Sequence, residues 1–377
     1  MNITPIVAPG SKADDGSEGI GRLTTIADDT VPDIIENVIA EALWKYISPL
    51  LILFGTIGNA LSIAVLLQKR CRKSTTSLYL SCLAVSDILA IDIGLSRIWI
   101  NNVFHMDIRN LHDVVCRLHF FIVYFLPQAS SWILVMFTTE RTLAVWLPHK
   151  VSVISSKRTA AIMISLTMTI LAGFNMTLFW TQILVEEDGK YYCQTHPDHI
   201  YFDYQVWPWI DSFLASFIPF TIIAICNLMI VFKLQVAKRL QQSMNTGNGR
   251  TTADQKMSSA TVILIFISIM FLTLTSPLVL YLYFYQVWYP YDPPVDEHVA
   301  AQSELHYTIT YLMYFTNHAC NFILYVVSSA KFRADLKNLL VRRGRSNERG
   351  NITGTSGSTG GPTRSVMETQ LSVSTKF

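Results

Sequence analysis

Long apolar stretches alternate with shorter polar stretches along this chain. A helix needs about 20 mostly apolar residues to cross a bilayer, because the hydrocarbon core is about 30 Å thick and each residue rises about 1.5 Å. Seven stretches reach that length: 44–67, 78–99, 115–145, 159–180, 209–232, 259–283 and 305–327. The pattern predicts an all-α membrane protein built as a seven-transmembrane helix bundle.

The predicted spans divide the chain into four regions. We expect an N-terminal segment at 1–43, the seven-span bundle at 44–328, a short amphipathic helix at 329–342 and a tail at 343–377. The tail is rich in Gly, Ser and Thr, a composition typical of disordered segments. The first ten residues lack the basic start and apolar run of a signal peptide, so we expect the first span to act as its own signal anchor.

The composition supports a membrane protein and excludes several other classes. Of the 377 residues, 51% are hydrophobic and only 15% are charged, whereas soluble domains carry about 25% charged residues. The 12% of aromatic residues argue against a disordered chain. A net charge of +2 gives no sign of nucleic-acid binding, and six cysteines are too few for a disulfide-dense secreted scaffold.

The basic residues predict the orientation of the bundle. They cluster in the first, third and fifth connections, at 69–73, 150–158 and 233–256, and again after the last span at 331–345. Because cytoplasmic loops carry the excess of Lys and Arg, we expect an extracellular N-terminus and a cytoplasmic C-terminus in the plasma membrane. The sequon at Asn2 would then be an N-glycosylation site on the outside.

A carboxylate lies within the second predicted span, at Asp87. An ionisable group in hydrocarbon costs several kcal/mol, which makes it a candidate functional group. Polar residues on other spans could meet it in the bundle core: Asn59, Ser130, Asn317 and Asn321. Such a set suits a monovalent cation, or a proton on the carboxylate itself. The same residues could simply hydrogen-bond the helices together, and the residues alone leave both interpretations open.

The cysteines and one histidine also carry predictions. Cys116 and Cys193 are the two cysteines in segments that we place outside, where conditions are oxidising, so a disulfide between them is predicted. The remaining cysteines are expected to be reduced. His318 is a single histidine within the last span, and we interpret it as a hydrogen-bonded core residue rather than a metal ligand.

Several motifs in order along the chain resemble the rhodopsin-like (class A) G-protein-coupled receptors. The likeness covers about residues 44–342 and rests on the motifs taken together, because a short motif alone is only a hypothesis. The residues that carry it are Gly58-Asn59, Leu83 with Asp87, Cys116 with Cys193, Glu140-Arg141, Pro219, Phe271 with Pro277, Asn321 with Tyr325, and Phe332-Arg333.

This resemblance implies a receptor that is not an enzyme and that activates a heterotrimeric G protein. Arg141 would meet the G protein once the sixth helix swings outward, although from the residues alone Glu140-Arg141 is equally an interfacial pair. The implied switch residues are Glu140, Arg141, Phe271, Pro277 and Tyr325. The implied sodium pocket, which would favour the inactive state, consists of Asn59, Asp87, Ser130, Asn317 and Asn321.

The chain departs from the family pattern at four positions, one of which is the absence of the usual fourth-span tryptophan. Thr142 replaces the tyrosine after the arginine, Thr275 replaces the sixth-span tryptophan, and Phe322 replaces the seventh-span proline. These changes put the aromatic toggle and the seventh-helix kink in doubt. In having Thr275 and Phe322 at these places, the chain resembles invertebrate neuropeptide receptors of the FMRFamide and related types.

The outer segments predict the class of ligand. They are rich in Asp and Glu, which would steer a cationic ligand inward, although an acidic rim is also a plain solvated surface. Together with an aromatic band, they predict a short cationic, amidated peptide; a non-peptide ligand is the alternative. The predicted contacts are Arg97, Tyr124, Gln128, Trp207, Asp211, Tyr281, Tyr285 and Trp288.

The tail predicts further partners, and two other functions are weaker alternatives to a receptor. Phosphorylated hydroxyls in the tail would recruit an arrestin-like partner, and the ending Thr375-Lys376-Phe377 resembles a ligand for PDZ domains. An ion-coupled transporter is a weaker alternative, because the chain shows no inverted repeat. An intramembrane enzyme is weaker still, because the spans hold neither a His-Glu-x-x-His nor a Gly-x-Ser-x-Gly motif.

Overall fold

The computed structural model describes residues 34–150, 155–244, 259–289 and 296–353. The extracellular sequon at Asn2, the tail from residue 354 onward and the C-terminal Thr375-Lys376-Phe377 lie outside the described residues. Among the described residues, those up to Arg333 form one compact unit and those from Ala334 a second.

The predicted spans are helices that we number α1 to α7, with α8 after them. The bounds are α1 Ile35–Leu66, α2 Thr75–Phe104, α3 Asp113–Trp146 and α4 Lys157–Thr181. Then come α5, formed by Trp207–Ser212, Phe213–Phe217 and Ile218–Met244, and α6 at Ser259–Trp288. The last two are α7, formed by Glu297–Ala319 and Asn321–Ser328, and α8 at Ala330–Thr353.

Two helices extend beyond the predicted bounds. The first helix begins at Ile35 instead of residue 44, so part of the expected N-terminal segment is helical. The helix after the bundle begins at Ala330 as expected but continues to Thr353, past the predicted end at 342. No proline stands between residues 342 and 353, so every backbone N–H of this segment can donate within the helix.

Among the described residues, six helices are long and apolar enough to cross a membrane: α1 to α6. The seventh, α7, is more polar than these six. Many of its polar side chains are buried, among them Ser303, Thr308, Thr310, Asn317 and His318. It packs against α1 and α6. Its polar residues therefore face neighbouring helices, where they find hydrogen-bond partners that lipid cannot supply.

The helix α1 shows how a bundle in lipid is arranged. Its outer face carries large apolar side chains that are exposed, including Leu53, Phe54 and Ile57. Its buried face carries Gly55 and Gly58. A Cβ on Gly55 would lie 2.5 Å from Ile91 Cδ1 and 3.1 Å from Ala319 Cβ. The glycine therefore lets α1 approach α2 and α7 closely, as small residues do between membrane helices.

A β-hairpin that the sequence analysis missed lies between α4 and α5. Strand β1 (Gln182–Glu187) pairs antiparallel with β2 (Lys190–Thr195). Asp188 and Gly189 form the turn, with φ values of 53° and 73°. Positive φ at both central residues is the type I′ geometry that Asp-Gly favours. The predicted disulfide is confirmed: it joins Cys116 at the start of α3 to Cys193 in β2, with the Cα atoms 5.6 Å apart.

Replacing Gly55 by Leu should destabilise the bundle. The new side chain would push α1 away from Ala319, and overpacking of this kind costs about 1–3 kcal/mol. Ile57→Leu is the matched control, because Ile57 is 51% exposed on the same helix. Thermal unfolding of the purified receptor in detergent should show a lower midpoint for Gly55→Leu alone. Equal midpoints for both variants would contradict close packing of α1 at Gly55.

Candidate functional site

A cavity opens between α2, α3, α5, α6 and α7 at the end of the bundle that carries the disulfide, which we call the disulfide end. Its lining includes three of the predicted ligand contacts, Arg97, Tyr124 and Asp211. Tyr311 and Tyr314 of α7 complete its aromatic wall. The cavity thus presents both signs of charge among aromatic rings.

Asp211 of α5 forms the acidic part of this cavity. Gln128 Nε2 donates a hydrogen bond to Asp211 Oδ1 at 2.9 Å. Gln128 Oε1 in turn accepts one from Asn175 Nδ2 at 2.6 Å. These amides fix the position of the carboxylate without neutralising it. Within the described ranges, no Lys, Arg or His side chain forms an ion pair with Asp211.

The basic part of the cavity comes from a buried triad, Arg97, Asp107 and Arg109, of which the two arginines line the cavity. Arg97 of α2 and Arg109, in the short turn Ile108–Leu111, both bind Asp107. Arg109 reaches Asp107 Oδ2 at 2.6 Å, and Arg97 Nε reaches Oδ1 at 3.1 Å. Two guanidinium groups share one carboxylate, so the triad carries one net positive charge.

The two arginines of the triad change the pKa of Asp107. Burial alone would raise the pKa of this carboxyl, but hydrogen bonds from Arg97 and Arg109 and their positive charges outweigh burial. The pKa of Asp107 therefore lies well below its usual range. The triad was missed in the sequence because its members come from a helix and from a loop whose path no local pattern predicts.

The other predicted ligand contacts lie behind or away from the cavity. Trp207 is buried and packs edge-on against Tyr124, with the ring centroids 5.5 Å apart. Tyr281 donates or accepts a hydrogen bond with Ser303 Oγ at 3.1 Å. Tyr281 and Trp288 pack against His306 and Tyr285 against Tyr281, forming an aromatic cluster between α6 and α7. These tyrosines and Trp288 are not among the residues that line the cavity.

Deeper in the bundle, Asp87 receives hydrogen bonds from two of its predicted neighbours. Ser130 Oγ donates to Asp87 Oδ1 at 3.1 Å, and Asn321 Nδ2 donates to Oδ2 at 2.7 Å. The side chain of His318 holds the place that we expected for Asn317: its Nδ1 lies 2.7 Å from Asp87 Oδ1. Residues 317 and 318 differ by about 100° around a helix, so adjacent residues cannot face the same partner.

Asn59 joins this region through the backbone. Its Nδ2 donates to the carbonyl oxygens of Gly55 and His318, each at 3.0 Å. It therefore links α1 to α7 and does not contact the Asp87 carboxylate through any hydrogen bond within the described residues. The interpretation of His318 as a hydrogen-bonded core residue agrees with this arrangement.

The opposite end of the bundle holds Glu140 and Arg141 at the end of α3. Arg141 donates to Glu140 Oε1, and to Thr75 Oγ1 of α2 at 3.0 Å. Thr75 also donates to Glu140 Oε1 at 2.6 Å. Thr75, which the sequence analysis missed, thus ties the acid–base pair to α2 and makes it more than an interfacial pair.

The other predicted switch residues lie on α6 and α7. Phe271 packs edge-on against Phe220 of α5, with centroids 4.9 Å apart. Pro277 lies within α6, which continues through it. Tyr325 is fully buried and its ring lies 5.5 Å from that of Phe332.

The departures from the family pattern have visible consequences. Thr142 donates to the Thr138 carbonyl at 2.9 Å and to the Cys226 carbonyl of α5 at 3.4 Å. The seventh helix is interrupted at Cys320, directly before Asn321, although residue 322 is not proline. Phe322 packs against the Gly58 backbone, where an added Cβ would lie 3.0 Å from Phe322 Cβ.

Comparison with known proteins identifies the family. A family model described as "7 transmembrane receptor (rhodopsin family)" matches residues 58–325, which is most of the chain. The chain belongs to the rhodopsin family of seven-transmembrane receptors. It is therefore a multi-pass membrane protein and not an enzyme, and membership implies a ligand, a G protein and a lipid bilayer as its partners.

The relatives include receptors with different named ligands. Human neuromedin-U receptor 2 is 25% identical over 302 residues, covering 76% of this chain and 68% of that protein. The Caenorhabditis elegans neuromedin U receptor homolog nmur-2 is 30% identical over 128 residues, 32% of each chain. Human hydroxycarboxylic acid receptor 2 is 28% identical over 183 residues, covering 48% of this chain and 49% of that receptor. The FMRFamide-type resemblance stays a prediction.

Removing the shared carboxylate of the triad should strongly destabilise the receptor. Asp107→Ala leaves two buried guanidinium groups without a counter-charge, and breaking a buried pair in this way costs about 3–5 kcal/mol. Asp198→Ala is the control, because the Asp198 side chain is 83% exposed beside His196 and exposed pairs contribute about 0–1 kcal/mol. Thermal unfolding checks both variants, and equal midpoints would contradict the structural role of the triad.

The same carboxylate predicts a pH dependence. Because the folded pKa of Asp107 lies below the unfolded value of about 3.9, its contribution to stability is present above that pH and is lost as the pH falls through the folded pKa. The difference in unfolding midpoint between the native receptor and Asp107→Ala should therefore shrink in acid. A difference that grows in acid would contradict the assigned sign.

Proposed function

We propose that this receptor lies in the plasma membrane, binds a short cationic, amidated neuropeptide from outside the cell and activates a heterotrimeric G protein. The observation that carries the proposal is a carboxylate in the cavity, that of Asp211, without a described ion-pair partner. This carboxylate lines the cavity and its described partner is an uncharged amide, that of Gln128. A ligand cation would supply the missing counter-charge.

The chemistry of the two ends supports the orientation. The disulfide between Cys116 and Cys193 suits an oxidising compartment. Lys and Arg concentrate in the connections at the opposite end and after α7, as they do in cytoplasmic loops. In this orientation the cavity opens outward and Arg141 faces the cytoplasm, and the sequon at Asn2 is available for glycosylation.

The cavity has two charged parts that suit two parts of one peptide. An arginine side chain would pair with Asp211, and Tyr124 and Tyr311 would offer ring faces to its guanidinium group. The triad of Arg97, Asp107 and Arg109 has donors in excess, so it would bind the oxygen of a terminal carboxamide. Two of the relatives are named as neuromedin-U receptors, which supports a peptide ligand.

Activation would follow from a shift in population. The Arg141 side chain is hydrogen-bonded to Glu140 of α3 and to Thr75 of α2, and these bonds hold it against the bundle. An agonist that binds the active arrangement better would release Arg141 for the G protein.

Phosphorylation of the tail would then recruit an arrestin-like protein. The chain's last residues would bind a PDZ domain.

A second candidate is a receptor for an acidic small molecule. The net positive charge of the triad favours it, since a carboxylate would bind two guanidinium groups strongly. One relative is named as a hydroxycarboxylic acid receptor. This candidate leaves Asp211 without a counter-charge, so the peptide is the better supported ligand.

Amidated Arg-Phe peptides, tested beside their free-acid forms and beside small carboxylic acids, should separate these candidates in cells that express the receptor. Calcium and cyclic-AMP responses are the readouts. Asp211→Asn should raise the half-maximal peptide concentration by about 10- to 100-fold, because a charge-assisted hydrogen bond contributes about 1.5–3 kcal/mol.

The control for this experiment is Asp188→Asn, an exposed position at the hairpin turn where asparagine also tolerates positive φ. It should leave the response unchanged. Responses to carboxylic acids alone, unaffected by Asp211→Asn, would contradict the peptide proposal.

Arg141→Ala should abolish agonist-dependent nucleotide exchange while surface expression persists, because the cation proposed to meet the G protein is lost. Arg158→Ala is the matched control, since Arg158 is an exposed arginine at the start of α4. Coupling that survives in Arg141→Ala at normal expression would contradict the role given to this residue.

A further inference from the structure

The carboxylate of Asp87 is enclosed by side chains from two neighbouring helices, α3 and α7. It is 1% exposed. Ser130 of α3 and Asn321 of α7 donate to its two oxygens, and the imidazole of His318 lies 2.7 Å from Oδ1. An ionised carboxylate only accepts hydrogen bonds, so beside an ionised Asp87 the proton of this contact would be on His318 Nδ1. Both carboxylate oxygens are therefore occupied by N–H or O–H groups.

The family resemblance implies a sodium ion at this carboxylate, and the residues present do not fit one. A hard cation needs several oxygen ligands directed at it. Here the imidazole and the Asn321 amide direct N–H groups at the carboxylate, which would repel a cation in the same space. Asn317, expected as a ligand, makes no described hydrogen bond to Asp87.

One oxygen near this cluster lacks a partner, and it does not rescue a sodium site. Asn59 Oδ1 is buried without a hydrogen bond among the described residues. The amide nitrogen of Asn59 is directed at the carbonyl oxygens of Gly55 and His318. A single side-chain oxygen, on a residue that makes no described hydrogen bond to the carboxylate, cannot replace the hydration shell of an ion.

We infer that the His318 imidazole takes the place of the sodium ion, so that the arrangement of α2 and α7 is independent of sodium. The imidazole is itself held in place. It is 2% exposed, and the ring of Tyr314 lies edge-on to it at 5.2 Å. The backbone carbonyl of His318 also accepts the hydrogen bond from Asn59 of α1. His318 is thus a positioning residue of α7 that is hydrogen-bonded to α1 and α2. Because the imidazole is covalently part of the chain, it cannot exchange with the solution as an ion would.

This inference goes beyond the proposed function, because it concerns no ligand and needs none for its test. The full-length receptor, purified in detergent, is unfolded by heat in sodium chloride and in choline chloride at equal ionic strength. The native receptor should show the same midpoint in both salts, within about 1 °C. A midpoint several degrees higher in sodium, lost in Asp87→Asn, would overturn the inference.

His318→Ser provides the converse test. It removes the imidazole beside Asp87 and offers a hydroxyl oxygen in its place, so sodium should now raise the unfolding midpoint by several degrees above choline. His306→Ser is the matched control, because it changes a histidine of the same helix that packs against Tyr281 instead. It should show no difference between the salts.

Each outcome for His318→Ser bears on the inference. A folded His318→Ser receptor without a sodium response would contradict the claim that the imidazole fills the ion's place. If this variant does not fold, His318→Asn, which keeps a side-chain N–H, replaces it and should remain insensitive to sodium. The comparison of salts on the native receptor decides the inference in every case.

Discussion

Lipid offers no hydrogen bonds to polar groups, so a charged group inside a membrane bundle is stabilised by partners from the protein, and Asp87, 1% exposed, is where this constraint is most severe. Its carboxylate gathers Ser130 from α3 and both His318 and Asn321 from α7. The close approach of α1, which Gly55 permits, brings Asn59 to the His318 carbonyl. The carboxylate thus links α2 to α3 and α7, and the His318 carbonyl extends the link to α1. The cavity and the Arg141 end lie on either side of this cluster.

Helix α7 connects the cavity with this cluster. Tyr314 and Phe315 both line the cavity, and their rings lie 5.2 Å and 6.5 Å from that of His318. A ligand that moves these rings acts directly on the histidine that holds Asp87. Further along the same helix, beyond the interruption at Cys320, lie Asn321 and the buried Tyr325. The toggle tryptophan is replaced by Thr275, which also lines the cavity, so the rings of α7 supply the aromatic contacts between the cavity and the Asp87 cluster.

The features that the sequence predicted are those set by local composition. Runs of apolar residues predicted the seven spans, and two cysteines in the outer segments predicted the disulfide. The turn residues Asp188 and Gly189 carried a hairpin signal that went unused. The sequence did not show which way a side chain faces around its helix, nor the path of a loop. Asn317 was chosen over His318, and Tyr281, Tyr285 and Trp288 were assigned to the cavity, because depth in the bundle was known and the facing side was not. The triad of Arg97, Asp107 and Arg109 depends on a loop that folds back onto α2, which no periodic pattern encodes.

The central claim is that the Asp87 cluster is closed by the protein's own side chains. The measurement that tests it most directly is a high-resolution experimental structure of the receptor in a lipid nanodisc with sodium chloride. The account predicts that His318 Nδ1 lies within hydrogen-bond distance of Asp87 Oδ1, near the 2.7 Å found here, with no ion between them. A sodium ion bound to Asp87, with the His318 ring turned away from the carboxylate, would contradict it.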